Sequence, residues 1–334
     1  MEIKKALTFR ASSIGDCLMG KYFLENIRAA HPSARCGLVV AGRGAMLRDL
    51  LATYPWIEVI EANRRSPRAL LHLARRFWRC DIVCTEYTNG TVGLATKCMA
   101  RLLARRGGLI GFADKSKFSR YVYDALLPLP PVGTRAQRLH EHEALRAARV
   151  SVGVEQITFR YVPAPGLLER FGLKKNTYVV AHFFAGIRER SLSPLRSREL
   201  LTELSKKLPG VRFVITGVAG DRAEALAAAE GFDAVVIAGA ASLQETAQII
   251  AESRGVVSVD TGLAHLSAQL GKRPVVLATC LGPNWWFKEQ YGEGAATFFN
   301  RADLCAQGHV IKNYPDCLNE IDMQKVAQAL AAQS

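Results

Sequence analysis

The sequence predicts an α/β protein of two consecutive Rossmann-like, doubly wound domains, and three observations carry that reading. Short β-branched or apolar runs alternate with stretches whose apolar residues return at helical spacing, the pattern of parallel sheets covered on both faces. The alternation stops at a Tyr-Val-Pro-Ala-Pro-Gly linker at 161–166 and then restarts. The 334 residues exceed one typical core but suit two domains of about 150 residues each. The domains are therefore expected at 1–160 and 161–334, with the carboxyl ends of both sheets facing a central cleft.

In the first domain, residues 4–10 read as a strand, Ala-Ser-Ser-Ile-Gly-Asp at 11–16 as the loop after it, and 17–30 as a helix with Leu18, Tyr22, Leu24 and Ile27 on its apolar side. A turn of small hydroxyl and glycine residues suits either a phosphate or a carboxylate presented at the strand tip. Asp16, opening a helix, fits equally the role of a cap or a dipole partner. Strands follow at 37–40, 57–60, 81–85 and 108–112, and helices at 45–53, 68–78 and 92–103. Residues 126–134, with Pro128, Pro130 and Pro131, read as irregular, and 138–150 as the helix that closes the domain. His140 and His142 lie two apart on it, and residues two apart on a helix do not face one another, which argues against a metal pair.

In the second domain a short helical segment at 167–171 leads to strands at 178–183, 212–216, 234–237, 256–259 and 274–279, with helices at 198–207, 222–229 and 243–252. Ser242 and Glu245 have the spacing of a capping box. The segment 305–332 ends in an amphipathic helix marked by Ile321, Val326 and Leu330, expected to pack back on the domain junction.

The most informative stretch is 256–270. Its β-branched run breaks at Asp260-Thr261-Gly262 and resumes with Leu263, Leu266 and Leu270 at helical spacing, which is strand, tight turn, helix. Gly262 permits close approach to the backbone, and the first N–H groups of the helix suit an anion such as a diphosphate. His265 falls in the first helical turn; Asp260 as a simple cap and His265 as a satisfied core histidine are the alternative.

The formal charge of +14 is one-sided: residues 1–150 hold 25 Lys and Arg against 12 Asp and Glu. Such a field points to an anionic partner, with a solvated basic surface as the bland alternative. Arginines and lysines in loops (Arg64, Arg65, Arg68, Lys115, Lys117, Arg120) are the candidates for substrate binding, whereas Arg75, Arg76, Arg79 and Arg101 on helices are either solvated or membrane-facing. No aromatic ladder interleaves them and no nucleic-acid-binding motif is evident, so nucleic acid is not the expected partner. Eight scattered cysteines form no CxxC or zinc set, and the Met-Glu-Ile-Lys-Lys start lacks the apolar core of a signal peptide. A cytoplasmic protein is expected, with membrane contact limited to the periphery, because no apolar run reaches bilayer-spanning length.

Ser-Ser-Ile-Gly-Asp at 12–16 after the first strand, Val-Asp-Thr-Gly-Leu-Ala-His-Leu at 259–266 followed by Gly271 and Pro274, and Cys-Leu-Asn-Glu-Ile at 317–321 before a last helix resemble the bacterial heptosyltransferase family, which has the GT-B fold and includes the lipopolysaccharide core heptosyltransferases. The resemblance implies transfer of heptose from ADP-heptose to an anionic inner-core glycolipid, with inversion at the anomeric carbon and on the cytoplasmic face of the inner membrane. Asp16 takes the general-base position, with Ser12, Ser13 and Gly15 beside the acceptor. Thr261, Gly262 and Leu263 supply backbone N–H groups to the leaving diphosphate, Asp260 fixes the turn or binds the sugar, and His265 hydrogen-bonds the donor. The family's Lys-x-Trp-Pro is here Arg190-Ser191-Leu192-Ser193-Pro194, so Arg188 or Arg190 replaces the phosphate-binding lysine. Asp221 and Glu224 both suit the nucleotide ribose. The family's Gly-Pro-Thr is Gly282-Pro283-Asn284, followed by Trp285 and Trp286, which either stack on a base or sugar or pack the junction. No Asp-x-Asp pair is present, and neither metal nor other cofactor is expected.

Two other readings keep the fold: an enzyme using another nucleotide sugar or a non-lipid acceptor, and a catalytically silent nucleotide-sugar-binding protein.

Overall fold

The computed structural model describes residues 2–10, 13–62, 67–85, 92–128, 136–279, 286, 288–292, 296–305 and 314–333. The chain divides into two compact units, Met1–Ile157 and Thr158–Ser334.

The first unit runs β1 (Lys5–Arg10), α1 (Ile14–Ala30), β2 (Arg35–Val40), α2 (Gly44–Leu50), β3 (Ile57–Glu61), α3 (Pro67–Phe77), β4 (Ile82–Cys84), α4 (Leu94–Leu103), β5 (Leu109–Phe112), α5 (Ser119–Val122), β6 (Ala125–Leu127) and α6 (Gln137–Ala147). Its sheet is parallel, in the order β3-β2-β1-β4-β5-β6. Both faces of β1 are covered, as its near-continuous apolar run requires. Leu7 and Phe9 point into a cluster with Leu73 and Phe77 of α3 and Ala100 and Leu103 of α4. On the other face α1 lies so close to the sheet that a Cβ on Gly20 would stand 2.9 Å from both Arg10 Cγ and Leu38 Cδ1. Glycine at that position lets helix and sheet meet.

Two expectations for this unit need correction. Residues 14–16 are not loop: Ser13 caps α1 by accepting the Asp16 amide, so Gly15 and Asp16 form its first turn. Residues 126–134 are not wholly irregular either, because 125–127 pair with β5 as the edge strand. Pro128 ends that strand where an edge tolerates a missing donor.

The second unit runs α7 (Leu167–Arg170), β7 (Tyr178–His182), α8 (Pro194–Lys207), β8 (Arg212–Thr216), α9 (Arg222–Ala229), β9 (Ala234–Val236), α10 (Leu243–Ala251), β10 (Gly255–Val259), α11 (Gly262–Gln269), β11 (Val275–Leu277), α12 (Lys288–Tyr291), β12 (Thr297–Phe299), α13 (Tyr314–Asn319) and α14 (Met323–Ala331). Its parallel sheet has the order β12-β11-β10-β7-β8-β9. Read from the first strand of each unit, the two orders are the same, with two strands added to one side and three to the other. Each sheet therefore has a switch point, between β1 and β4 in the first unit and between β7 and β10 in the second.

Helix α8 starts at Pro194 rather than at 198, because Ser193 accepts the Arg196 amide and Pro194 occupies the first helical position. The capping box of Ser242 and Glu245 is formed. α12, β12 and α13 carry too few residues to show periodicity and were not expected. The last helix, α14, buries Val326, Ala327 and Leu330 against Leu200, Leu201 and Leu204 of α8. No helix among the described residues is long and apolar enough to cross a membrane.

Candidate functional site

In an open parallel sheet the loops leaving the carboxyl ends of strands at the switch point have no helix between them, and that gap is where ligands bind. In the second unit Ser258 of β10 pairs in register with His182 of β7, so Asp260-Thr261-Gly262 and the loop bearing Arg188 and Arg190 leave neighbouring strand ends. Thr261 is extended and caps α11 without any side-chain hydrogen bond, which leaves the first amides of the helix uncapped by a side chain. Its own hydroxyl is buried with no hydrogen-bond partner among the described residues. Buried polar atoms are almost always paired, which makes the Thr261 hydroxyl a candidate ligand contact.

His265, one turn into α11, is buried. Its ring stacks on Trp286 at 4.5 Å between centroids and 7° between planes. Nδ1 lies 3.0 Å from the Tyr291 hydroxyl, while Nε2 is 3.9 Å from Asp260 Oδ1. Burial pushes the Tyr291 hydroxyl well up, keeping it a proton donor. A tautomer with its proton on Nε2, toward Asp260, satisfies both contacts. Trp286 Nε1 donates to Asp260 Oδ1 at 2.9 Å. The four side chains thus form one network whose fixed elements are the β10–α11 corner and α12.

The remaining donor candidates stand on the same edge. Arg188 pairs with Glu224 of α9, so these two candidates satisfy each other, and the Arg188 side chain is 73% exposed. Arg190 is half-buried in the turn Arg188–Arg190. Asp221 Oδ2 accepts the Val218 amide at 2.9 Å, closing the turn Ala219–Asp221 after β8. His182 was not anticipated. It ends β7 in the interior, with Nδ1 2.9 Å from Thr216 Oγ1, and burial pushes its imidazole down to about 4. Only its position at a strand end next to the switch point signals it, because its partner is 34 residues away.

At the switch point of the first unit, Asp16 is half-exposed in the first turn of α1, and the Ser13 hydroxyl donates to its Oδ2 at 2.5 Å. Gly15 is buried beside it. Beneath them Arg10, at the end of β1, pairs with Glu141 of α6 at 2.7 Å with both side chains almost fully buried. Burial pushes the Glu141 carboxyl up against the pull of Arg10. That pair escaped the sequence reading because 131 residues separate its members.

Lys115 and Lys117 are exposed on the loop before α5, and Arg120 is exposed on α5 itself rather than in a loop. The segment is held from below by Lys97 and Asp114, whose charged atoms are 2.8 Å apart with both side chains 1% exposed. Burial alone would raise the Asp114 carboxyl. Hydrogen bonds from Lys97, Ser119 and the Ser116 and Val92 amides outweigh it and hold the group below the usual carboxylate range. Arg68 is exposed on α3. His140 packs edge-on against Phe112 and His142 Nε2 lies 2.8 Å from the Tyr22 hydroxyl. Among the described residues no group of three or more His, Cys, Asp or Glu is placed to hold a metal ion. Ser12, Arg64, Arg65, residues 282–284 and Trp285 lie outside the described residues.

Residues 196–279 match the model of glycosyltransferase family 9 (heptosyltransferase). This segment runs from α8 to the end of β11 and contains Asp221, Glu224 and the 260–265 corner, but neither Arg188, Arg190 nor Asp16. Lipopolysaccharide heptosyltransferase 1 of Salmonella typhimurium is 44% identical over 61 residues, a stretch covering 18% of this chain and 19% of that protein. Among solved structures, the glycosyl transferase family 9 protein of Veillonella parvula superposes with a TM-score of 0.73 at 16% identity, over 100% of this chain and 98% of that one. E. coli heptosyltransferase WaaC with ADP gives 0.72 at 18% identity, over 99% and 100%. The E. coli ADP-heptose lps heptosyltransferase II gives 0.69 at 18% identity, over 98% of each chain. At these identities the superpositions speak for the fold. The chain has the GT-B fold, and in sequence over residues 196–279 it resembles the heptosyltransferases of glycosyltransferase family 9.

Proposed function

We propose that this protein is an inverting glycosyltransferase that moves heptose from ADP-heptose onto an anionic lipopolysaccharide inner-core acceptor, without a metal ion and at the cytoplasmic face of the inner membrane. The observation that carries the reading is the β10–α11 corner. A helix start without a side-chain cap, a buried Thr261 hydroxyl with no partner among the described residues and the Asp260–His265 pair stand together at a switch point, inside the segment matching the family. WaaC, of the same fold, is described with ADP.

The donor diphosphate would lie on the amides of Thr261, Gly262 and Leu263 and accept the Thr261 hydroxyl. Arg190, half-buried in the turn after β7, and Arg188, which pairs with Glu224, are the candidate cations beside that corner. Asp221 uses one oxygen on its own turn and has the other for a ribose hydroxyl. As the acceptor oxygen attacks the anomeric carbon, Asp16 takes its proton, the bond from that carbon to the phosphate oxygen breaks, and the configuration inverts. Ser13 orients the carboxylate by holding Oδ2 and leaves Oδ1 for the acceptor. Negative charge grows on the leaving diphosphate, where the amides and Arg190 stabilise it without further reorganisation. Chelators should accordingly leave turnover unchanged. The cations Arg64, Arg65, Arg68, Lys115, Lys117 and Arg120, with Ser12 and Gly15, would hold the acidic acceptor.

The Arg190–Pro194 departure and the Trp286 ring on His265 favour, as a second reading, the same chemistry with another nucleotide sugar. Asp16→Ala tests the base directly: turnover should fall by about a hundredfold to ten-thousandfold while ADP affinity and the unfolding midpoint stay the same. A variant that keeps near-normal turnover would exclude Asp16 as the base.

A further inference from the structure

The first sheet carries α3, α4 and α5 on one face as a single layer, because Leu73, Phe77, Ala100, Leu103 and Tyr123 are buried there together with Leu7 and Phe9. The outer side of this layer is unusual. Segments 67–79, 92–106 and 115–123, which make it up, contain eleven Lys and Arg and no Asp or Glu. Only Lys97 of those cations is buried. Three are tied to carboxylates that lie outside the three segments, Arg76 to Glu58, Arg101 to Asp124 and Arg105 to Asp81. The other seven, Arg75 and Arg106 among them, face no carboxylate among the described residues.

Large apolar side chains stand between these cations instead of being buried. Leu71 and Trp78 are 51% and 48% exposed at the α3 end, and Leu94 and Leu102 are 62% and 61% exposed on α4. Leu94, Cys98 and Leu102 are spaced by four residues and form one exposed stripe along that helix. Phe118, just before α5, and Tyr121, on it, are 66% and 72% exposed, and the Arg120 guanidinium sits over the Tyr121 ring at 4.7 Å. A layer evolved only for solubility would not spread six large apolar groups over one basic face. A soluble polyanion would use the cations and leave the leucines without a role.

We infer that the outer face of the α3–α4–α5 layer is a docking surface for an anionic lipid bilayer. Its cations lie at the headgroups, and its leucine and aromatic side chains enter the boundary between headgroups and acyl chains. The mixed character sets a signature. Salt screens the cations but not the apolar contacts, so binding weakens at high salt without vanishing. The inference is independent of the proposed transfer reaction, because docking is read without donor, acceptor or turnover.

The test is sedimentation of the full chain with vesicles that contain no lipopolysaccharide: phosphatidylcholine alone, or equal parts phosphatidylcholine and phosphatidylglycerol. Binding to the anionic vesicles only, reduced several-fold by high salt, is the expected result. Leu94→Gln with Leu102→Gln leaves the charge unchanged and should weaken binding by about tenfold. Arg75→Gln with Arg106→Gln should weaken it as well, whereas Lys206→Glu with Lys207→Glu on α8 should matter less despite the larger change in charge. A fluorophore on Cys98, in a chain with Cys280→Ser and Cys305→Ser, should shift to the blue on anionic vesicles. Absence of binding at low salt, equal binding to neutral vesicles, unaltered binding of the leucine pair, or a Cys98 label that stays in water would each overturn the inference.

Discussion

His182 is buried at the end of β7, and the physical consequence can be measured. An unfolded histidine titrates near 6.5, while burial holds this one at about 4. Between those values the unfolded chain binds a proton that the folded chain refuses. The stabilisation from neutral His182 is therefore complete above about pH 6.5 and is lost progressively as pH falls toward 4, by about 3 kcal/mol in all. Denaturant unfolding from pH 8 to 4 should show wild type losing about that much more stability than His182→Asn; parallel curves would contradict the burial argument. Trp286 offers a second case. Trp286→Phe keeps an aromatic ring for His265 but removes the N–H held by Asp260. Weakening of ADP binding by about tenfold is expected if that hydrogen bond fixes the corner, and unchanged binding would assign the indole to packing alone. Asp16, Asp260 and His265 were legible in the sequence because each lies beside a strand-to-helix turn in a continuous motif. The Arg10–Glu141, Lys97–Asp114 and His182–Thr216 contacts were not, since each joins residues that only the folded sheet brings together.

The elements were read well where periodicity is long and poorly where a single residue decides a boundary. Strand β8 and helix α9 have the bounds that apolar spacing implies. α1 and α8 begin earlier than their spacing implies, because Ser13 and Ser193 each supply a cap before the first periodic residue. The cap of α8 is testable: Ser193→Ala leaves the Arg196 amide unpaired and should cost about 1 kcal/mol, read as a lower denaturant midpoint with unchanged slope. No change in midpoint would mean that Pro194 alone starts the helix. β6 and β12 are three-residue strands, too short for any alternation to show, and parallel pairing with β5 and β11 makes them strands. α11 shows the limit of propensity in the other direction. Its start lacks a side-chain cap although Asp260 and Thr261 are both good capping types. The Asp260 carboxylate instead accepts the Trp286 N–H, and the Thr261 hydroxyl is unpartnered among the described residues.

At the scale of the molecule, the same six-strand order occurs twice, and each unit carries candidate chemistry at its own switch point. The sequence showed the repeat through its restart after the 161–166 linker, although it could not show the strand order, which depends on which strands pair across the sheet. The basic excess of residues 1–150 also becomes specific: eleven cations fall on three segments without an acid, and all but the buried Lys97 lie on the outer side of one layer of the first unit. The second unit is close to neutral in charge and bears the corner proposed to hold the diphosphate, so donor recognition is expected from placed amides and one or two arginines rather than from a broad field. The measurement that tests this most directly is calorimetric titration of the intact protein with ADP, GDP and UDP, with and without magnesium, repeated on Arg190→Ala. A clear preference for ADP, no requirement for magnesium, and affinity for ADP lowered by about tenfold to a hundredfold in the variant are expected. Preference for GDP or UDP, or no nucleotide binding at all, would contradict it.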